Sequence, residues 1–274
     1  MQDFVHLHVH TQYSILDGQA SIPRLVDKAI ANGMRGIAVT DHGDMFGIKE
    51  FFNYVNKKNG GTNGEIKDLK KKIAALESGK AESENPEADL AACREQLEAA
   101  KKKLFKPIIG CEMYVARRRL TDKEGKADQS GYHLVVLAKN LKGYHNLIKL
   151  VSKAWTEGFY MRPRTDRVEL EKYHEGLIVC SACLGGEIPR RITAGQFAEA
   201  EEAIQWYKNL FGDDFYLELQ RHKATVPRAN HETYKLQEVV NQKLVEFQKN
   251  IISNWCVQTM YTLSMKKMLK HTTV

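Results

Sequence analysis

Phe4-Val5-His6-Leu7-His8-Val9-His10 and, one helix further on, Gly36-Ile37-Ala38-Val39-Thr40-Asp41-His42-Gly43 are the stretches whose reading decides the fold. The first alternates strictly, with Phe4, His6, His8 and His10 on one face and Val5, Leu7 and Val9 on the other, and period two predicts a strand. Between the two stretches Ser21 can cap and Pro23 can open a helix whose Leu25, Val26, Ala29 and Ile30 share a face until Gly33 stops it. The second stretch predicts a short buried strand over 36–40. Together they make a β-α-β unit that ends in polar residues.

The same rhythm recurs outward from this unit. Residues 107–115, 133–137, 176–180 and 215–219 predict strands, and helical periodicity spans roughly 140–155, 197–211 and 227–249. Strands alternating with helices predict an α/β fold on a parallel sheet, open or closed into a barrel. From Lys57 to Lys103 the pattern breaks. A Gly/Asn turn cluster (59–64) leads into Lys/Glu/Ala-rich sequence with one narrow apolar stripe at Ile66, Leu69, Ile73 and Leu76. Asn85-Pro86 breaks that stripe, and Leu90, Cys93, Leu97 and Leu104 resume one. This predicts a charged, solvated helical hairpin inserted over 58–104.

A chain of 274 residues can bury a core without staples, and its composition excludes fibrous and wholly disordered classes. No apolar run reaches the ~18 residues of a membrane helix, and the opening residues lack a signal peptide's pattern, so the expected location is cytoplasmic, away from membranes. Five scattered cysteines suit a reducing compartment rather than a disulfide framework. The net charge of +7 is modest, and three of the seven charges (Lys266, Lys267, Lys270) sit in the last 24 residues, so it argues little for nucleic acid.

The histidines carry the chemistry. A lone strand histidine is usually a hydrogen-bonded interior group, and His6 fits that description. His8 and His10, however, lie about 7 Å apart and point the same way, a spacing that lets two imidazoles grip one metal or two adjacent ones. Asp17 follows in the next loop, Asp41-His42 ends the second strand, Glu112 lies on the third, His133 opens the fourth, and Cys183 follows the fifth. In a closed parallel sheet these positions can converge on one mouth, and imidazole with carboxylate suits zinc, manganese or iron. Glu112 as a capping carboxylate stays open as an alternative. Cys180 reads as a core thiol despite its CxxC spacing with Cys183, and His145, His174, His222 and His231 lack metal spacing.

These motifs, with Gly110-Cys111-Glu112-Met113-Tyr114-Val115, His133–Ala138, Gly143–Leu147, Cys180–Pro189 and Phe215–Gln220, resemble the polymerase-and-histidinol-phosphatase (PHP) domain that opens bacterial replicative DNA polymerase III alpha subunits. The resemblance covers residues 3 to about 250. It implies a distorted (β/α)7-type PHP barrel, here incomplete at its C-terminal end. It implies metal ligands at His8, His10, Asp17, His42, Glu112, His133 and Cys183, holding up to three zinc, manganese or iron ions. It also implies, in the full protein, DNA, other replicase subunits and a separate proofreading exonuclease as partners. Arg162, Arg164 and Arg167, near aromatic residues, are candidate contacts to a DNA backbone.

Residues 251–274 depart from the family, whose pattern continues with a strand ending in an Asp and a His that complete the metal cluster. Plausible codons for 254–273, read from the last base of the Asn254 codon, spell Leu-Val-Cys-Thr-Asn-Asp-Val-His-Phe, which is that strand. The tail is therefore expected to be out of frame, with residues 1–250 forming the PHP domain; a divergent apolar helix is the alternative. With two ligands missing, partial metal occupancy, a scaffold role ahead of weak phosphoesterase activity, no polymerase site, and a monomeric or aggregation-prone chain are expected. A free-standing metal phosphoesterase is the alternative function.

Overall fold

A computed structural model describes residues 4–16, 18–223 and 232–251; the predicted ligand Asp17 and the 252–274 tail lie outside them. The chain forms two compact units. One gathers Ser21–Ile37 and Lys49–Pro107. The other gathers His6–Ala20, Ala38–Ile48 and the described residues from Ile108 onward.

The first unit is mainly helical. Helix α1 (Ile22–Ala31) buries Ile22 and three residues of the predicted face, Leu25, Val26 and Ala29, while Ile30, predicted on the same face, is exposed; Pro23 lies in its first turn. It leads into β1 (Gly36–Val39). Helix α2 (Ile48–Lys58) is tied back to α1 through Asp27, which accepts from Tyr54 at 2.9 Å and pairs with Lys58 at 2.7 Å. Helices α3 (Gly60–Glu77) and α4 (Pro86–Lys103) form the predicted hairpin, paired through Arg94–Glu77 and Lys103–Glu65. Asn85 caps α4 by accepting from the Ala88 amide. The hairpin's root is Asn59, whose side chain donates to the Phe105 carbonyl at 2.8 Å and accepts from its amide at 3.0 Å. The Gly/Asn cluster is not the turn its composition suggests. Gly60, Gly61 and Gly64 are helical, because a helix continued from α2 and packed along α4 outweighs their poor propensity.

The second unit holds the sheet. Strand β2 (Lys106–Val115) leads into it, followed by α5 (Gly125–Asp128), β3 (Tyr132–Ala138), α6 (Leu141–Thr156), β4 (Arg164–Thr165), α7 (Arg167–Tyr173) and β5 (Leu177–Cys180). Helices α8 (Glu187–Thr193) and α9 (Phe197–Phe211), strand β6 (Phe215–Tyr216) and helix α10 (Glu232–Ile251) complete it. The order is β1-β2-β3-β5-β6, with β4 on β2. The expected all-parallel sheet is corrected here: β3 runs antiparallel to both β2 and β5, while β2–β4 and β5–β6 are parallel. The sheet is α/β but not closed among the described residues, as an incomplete barrel requires. One apolar core joins Cys111, Met113 and Val115 of β2 to Leu147 and Leu150 of α6, Ile204 and Tyr207 of α9, and Val240 and Leu244 of α10. Cys180 packs in a second cluster with Ala38, Val135 and Leu137, as a core thiol should.

Residues 4–10 are extended beside β1 but form no regular strand. Ala38 N donates to His6 O, and Thr40 N to Val9 O, so three steps on one segment face two on the other. One extra residue is accommodated, as in a β-bulge, and the chain bends at His8. Among the described residues no helix is long and apolar enough to cross a membrane.

Candidate metal centre

Glu112 is the hub. On β2, Cys111, Met113 and Val115 face the core, so period two turns Glu112 and Tyr114 to the opposite face. The Glu112 side chain is 1% exposed, and its Oε2 has His8 Nε2 at 3.0 Å, His10 Nε2 at 2.8 Å and His42 Nδ1 at 3.1 Å. Its other oxygen, Oε1, accepts from His133 Nδ1 at 2.8 Å and has Cys183 Sγ at 3.4 Å.

Each ligand arrives by a different route. His42 follows β1 and is bridged in parallel to Glu112, whose amide donates to Asp41 O and whose carbonyl accepts from Gly43 N. Gly43 has φ of +67°, and a Cβ there would meet Pro163 Cγ at 2.6 Å, so the turn that aims His42 needs glycine. His133 is the second residue of β3. In a parallel sheet a residue at a strand's start would lie at the wrong end, but antiparallel β3 pairs His133 with Tyr114, beside Glu112. Cys183 follows β5, and its sulfur accepts from the Gly185 amide at 3.3 Å. Gly185 packs flat on the His133 ring, where a Cβ would sit 2.9 Å from ring atoms.

Two shared features orient the imidazoles. Asp41, 1% exposed, accepts from Thr11 N at 2.6 Å, Thr11 Oγ1 at 2.8 Å and Ser14 Oγ at 2.7 Å. Because the Ser14 hydroxyl proton goes to Asp41, its oxygen accepts from His10 Nδ1–H at 2.9 Å, which leaves His10 Nε2 facing Glu112. His8 Nδ1 in turn lies 2.8 Å from Oε1 of Glu218, a buried carboxylate beyond β6.

Electrostatics follow from this crowding. Burial opposes the charge on Glu112, but the His8 charge and the hydrogen bond from His133 win and hold its carboxyl well below the usual range. Burial likewise opposes a charged His8, yet the flanking carboxylates of Glu112 and Glu218 raise it well above an ordinary imidazole. Burial first, then the Glu112 charge, pushes the Cys183 thiol up. Burial pushes Asp44 up to about 6.

Two sets of donors converge closely enough to hold an ion: His8, His10 and Glu112, and His42, Glu112 and His133. The residues fit a divalent metal on an observation independent of their spacing. Oε2 of Glu112 is buried among three imidazole nitrogens, yet no hydrogen bond is directed onto it. A buried carboxylate oxygen left so is costly, and a cation at that point removes the cost. Of the seven predicted ligands, five (His8, His10, His42, His133 and Cys183) meet around this carboxylate, and Glu112 itself is the sixth.

His6 is buried and belongs to neither donor set, as its reading as an interior histidine expects, and burial lowers its pKa. The sequence misplaced other residues. Arg164 is not a surface contact: it is fully buried, and its guanidinium donates to the carbonyls of Gly158, Leu120 and Asp122. Arg167 is engaged by Glu187 at 3.1 Å and stacks over Trp206 at 4.5 Å. Arg162 alone of the three stays exposed, near Tyr114. Ser14, Glu218 and Gln220 were absent from the predicted site, and Asp41, placed there beside His42, was given no role; the signal for Glu218 was an acid placed within an apolar strand pattern.

Residues 6–222 match the PHP-domain family. The chain belongs to that family. This PHP domain is 40% identical over 249 residues to the DNA polymerase III subunit alpha of Borreliella burgdorferi, covering 90% of the chain and 17% of that relative. It is 35% identical over 254 residues to the subunit of the same name from Aquifex aeolicus, with the same coverage. With that of Thermus aquaticus it shares 36% over 248 residues, 89% of the chain and 16% of the relative. The PHP domain thus spans about a sixth of the length of these relatives.

Proposed function

We propose that this PHP domain is the metal-holding N-terminal module of a bacterial DNA polymerase III alpha subunit. His8, His10, His42, Glu112, His133 and Cys183 hold zinc, manganese or iron ions, with Asp17 as a further ligand and up to three ions in a complete site. The observation that carries this reading is Glu112, one buried carboxylate shared by two convergent donor sets. Divalent ions bound there would supply Lewis-acid polarisation of a phosphoryl oxygen. The chain's own residues orient the imidazoles, through Ser14 and Asp41 at His10, and line the centre with Tyr114.

In the full polymerase, acting in the cytoplasm on DNA with other replicase subunits, the module serves phosphoester hydrolysis of a proofreading type or docks the polymerase domains and a proofreading exonuclease. For the chain as it stands docking ranks first, because the two ligands expected beyond residue 250 do not appear in its sequence. The test is release of mononucleotides from a single-stranded oligonucleotide in manganese, zinc or iron. Release no faster than that of Glu112→Gln is the expected result. Release well above that variant overturns the ranking and makes the chain a phosphoesterase.

A further inference from the structure

The Glu218 carboxylate is buried at 3% exposure, yet it belongs to neither convergent donor set. Its Oε1 lies 2.8 Å from His8 Nδ1 and accepts from Gln220 Nε2 at 2.7 Å. Its backbone is fixed as well: the Glu218 amide donates to Ser181 Oγ at 2.8 Å, and the Gln220 carbonyl accepts from Asn241 Nδ2 at 2.8 Å. His8 therefore stands between two carboxylates, with Nε2 toward Glu112 at 3.0 Å and Nδ1 toward Glu218. An imidazole can offer a lone pair from only one nitrogen while the other keeps its proton, and a carboxylate at Nδ1 can only accept.

We propose that Glu218, braced by Gln220, is a positioning residue: it holds the proton on His8 Nδ1 and turns His8 Nε2 to the metal as a pure donor. The arrangement makes a carboxylate–histidine pair behind the centre, and such pairs set both the orientation and the basicity of the ligating ring. The His10 ring, whose Nδ1 proton goes to a neutral hydroxyl, has the weaker form of the same device. This inference rests on the metal-holding reading of the site.

The experiment uses the full chain loaded with zinc and measures three quantities in wild type, Glu218→Gln and Glu218→Ala. These are ions bound per chain, zinc affinity by chelator competition, and the ring nitrogen and Nδ1–H signals of His8 by NMR. Glu218→Ala should keep the wild-type number of ions, bind them about 10–100-fold more weakly, and lose the slowly exchanging Nδ1–H signal. Glu218→Gln keeps an acceptor oxygen and should restore that signal and most of the affinity. Loss of an ion in both variants would make Glu218 a ligand and overturn the proposal, as would wild-type affinity and an intact Nδ1–H signal in Glu218→Ala. A wild type that takes up no zinc would instead remove the metal-holding reading itself.

Discussion

Replacing Asp41 with alanine should destabilise the metal-free protein by about 4 kcal/mol, and the figure follows from its contacts. The carboxylate is 1% exposed and accepts three hydrogen bonds of 2.6–2.8 Å from Thr11 and Ser14, which are themselves buried. A hydrogen bond to a charged acceptor contributes about 1.5–3 kcal/mol net, and stranded buried donors cost about 1–3 kcal/mol each. Three bonds to one carboxylate are not additive, and the freed hydroxyls of Thr11 and Ser14 can turn toward one another, so the sum is cut to about half. With a urea slope of ~3 kcal/mol/M the midpoint should fall by about 1.3 M. The assay is urea unfolding in EDTA, so that no bound ion contributes. Thr11→Val, which removes one of the three bonds, should lower the midpoint by roughly a third as much. A midpoint shift below about 0.3 M for Asp41→Ala would refute the reasoning, because it would mean that loop 11–14 does not depend on the carboxylate.

Arg164→Met keeps the side chain's volume but strands the carbonyls of Gly158, Leu120 and Asp122; it should cost about 3 kcal/mol, seen as a fall in Tm of roughly 6–12 °C, with no change in oligonucleotide binding beyond that of unfolding. Asp166 caps α7 through Glu169 N and also accepts from Leu120 N and Arg119. Burial opposes its charge, but those donors hold its carboxyl below the usual range, so its stabilisation is present above the unfolded value near ~3.9 and is lost as pH falls through the lower folded value. Asp166→Ala should therefore be about 2 kcal/mol less stable at pH 7, and the gap to wild type should narrow below pH ~4; a gap independent of pH from 7 to 3 would show that the ionised carboxylate is not what stabilises.

Helices were legible because their periodicity and punctuation are local. Pro23, Asn85 and Pro86 sit at helix starts where their backbone chemistry places them, Ser21 holds the N-cap position of α1 without a side-chain capping bond, and Leu25, Val26 and Ala29 face the core. The candidate ligands were legible for another reason: histidines and acids at strand ends have few bland roles, and four histidines with Cys183 converge on Glu112. What stayed hidden depends on contacts far apart in sequence. Nothing local in His133–Ala138 shows that β3 runs antiparallel, although that direction alone brings His133 beside Glu112. The extra residue between His6 and Val9 depends on the bonds to β1. Arg164 reads as a surface cation until three carbonyls from two loops close around it, and Glu218 gains its meaning only from His8, 210 residues away in sequence.

One carboxylate serving two sets of metal donors is the central claim, and counting ions tests it most directly. Purified chain, loaded with zinc or manganese and desalted, is analysed for metal per chain alongside His10→Ala and Glu112→Gln, with folding of each checked by circular dichroism. His10 belongs to one donor set and Glu112 to both, so His10→Ala should lose one set's ion and keep the other, whereas Glu112→Gln should lose both. A folded Glu112→Gln protein that retains its full complement of ions would contradict the account.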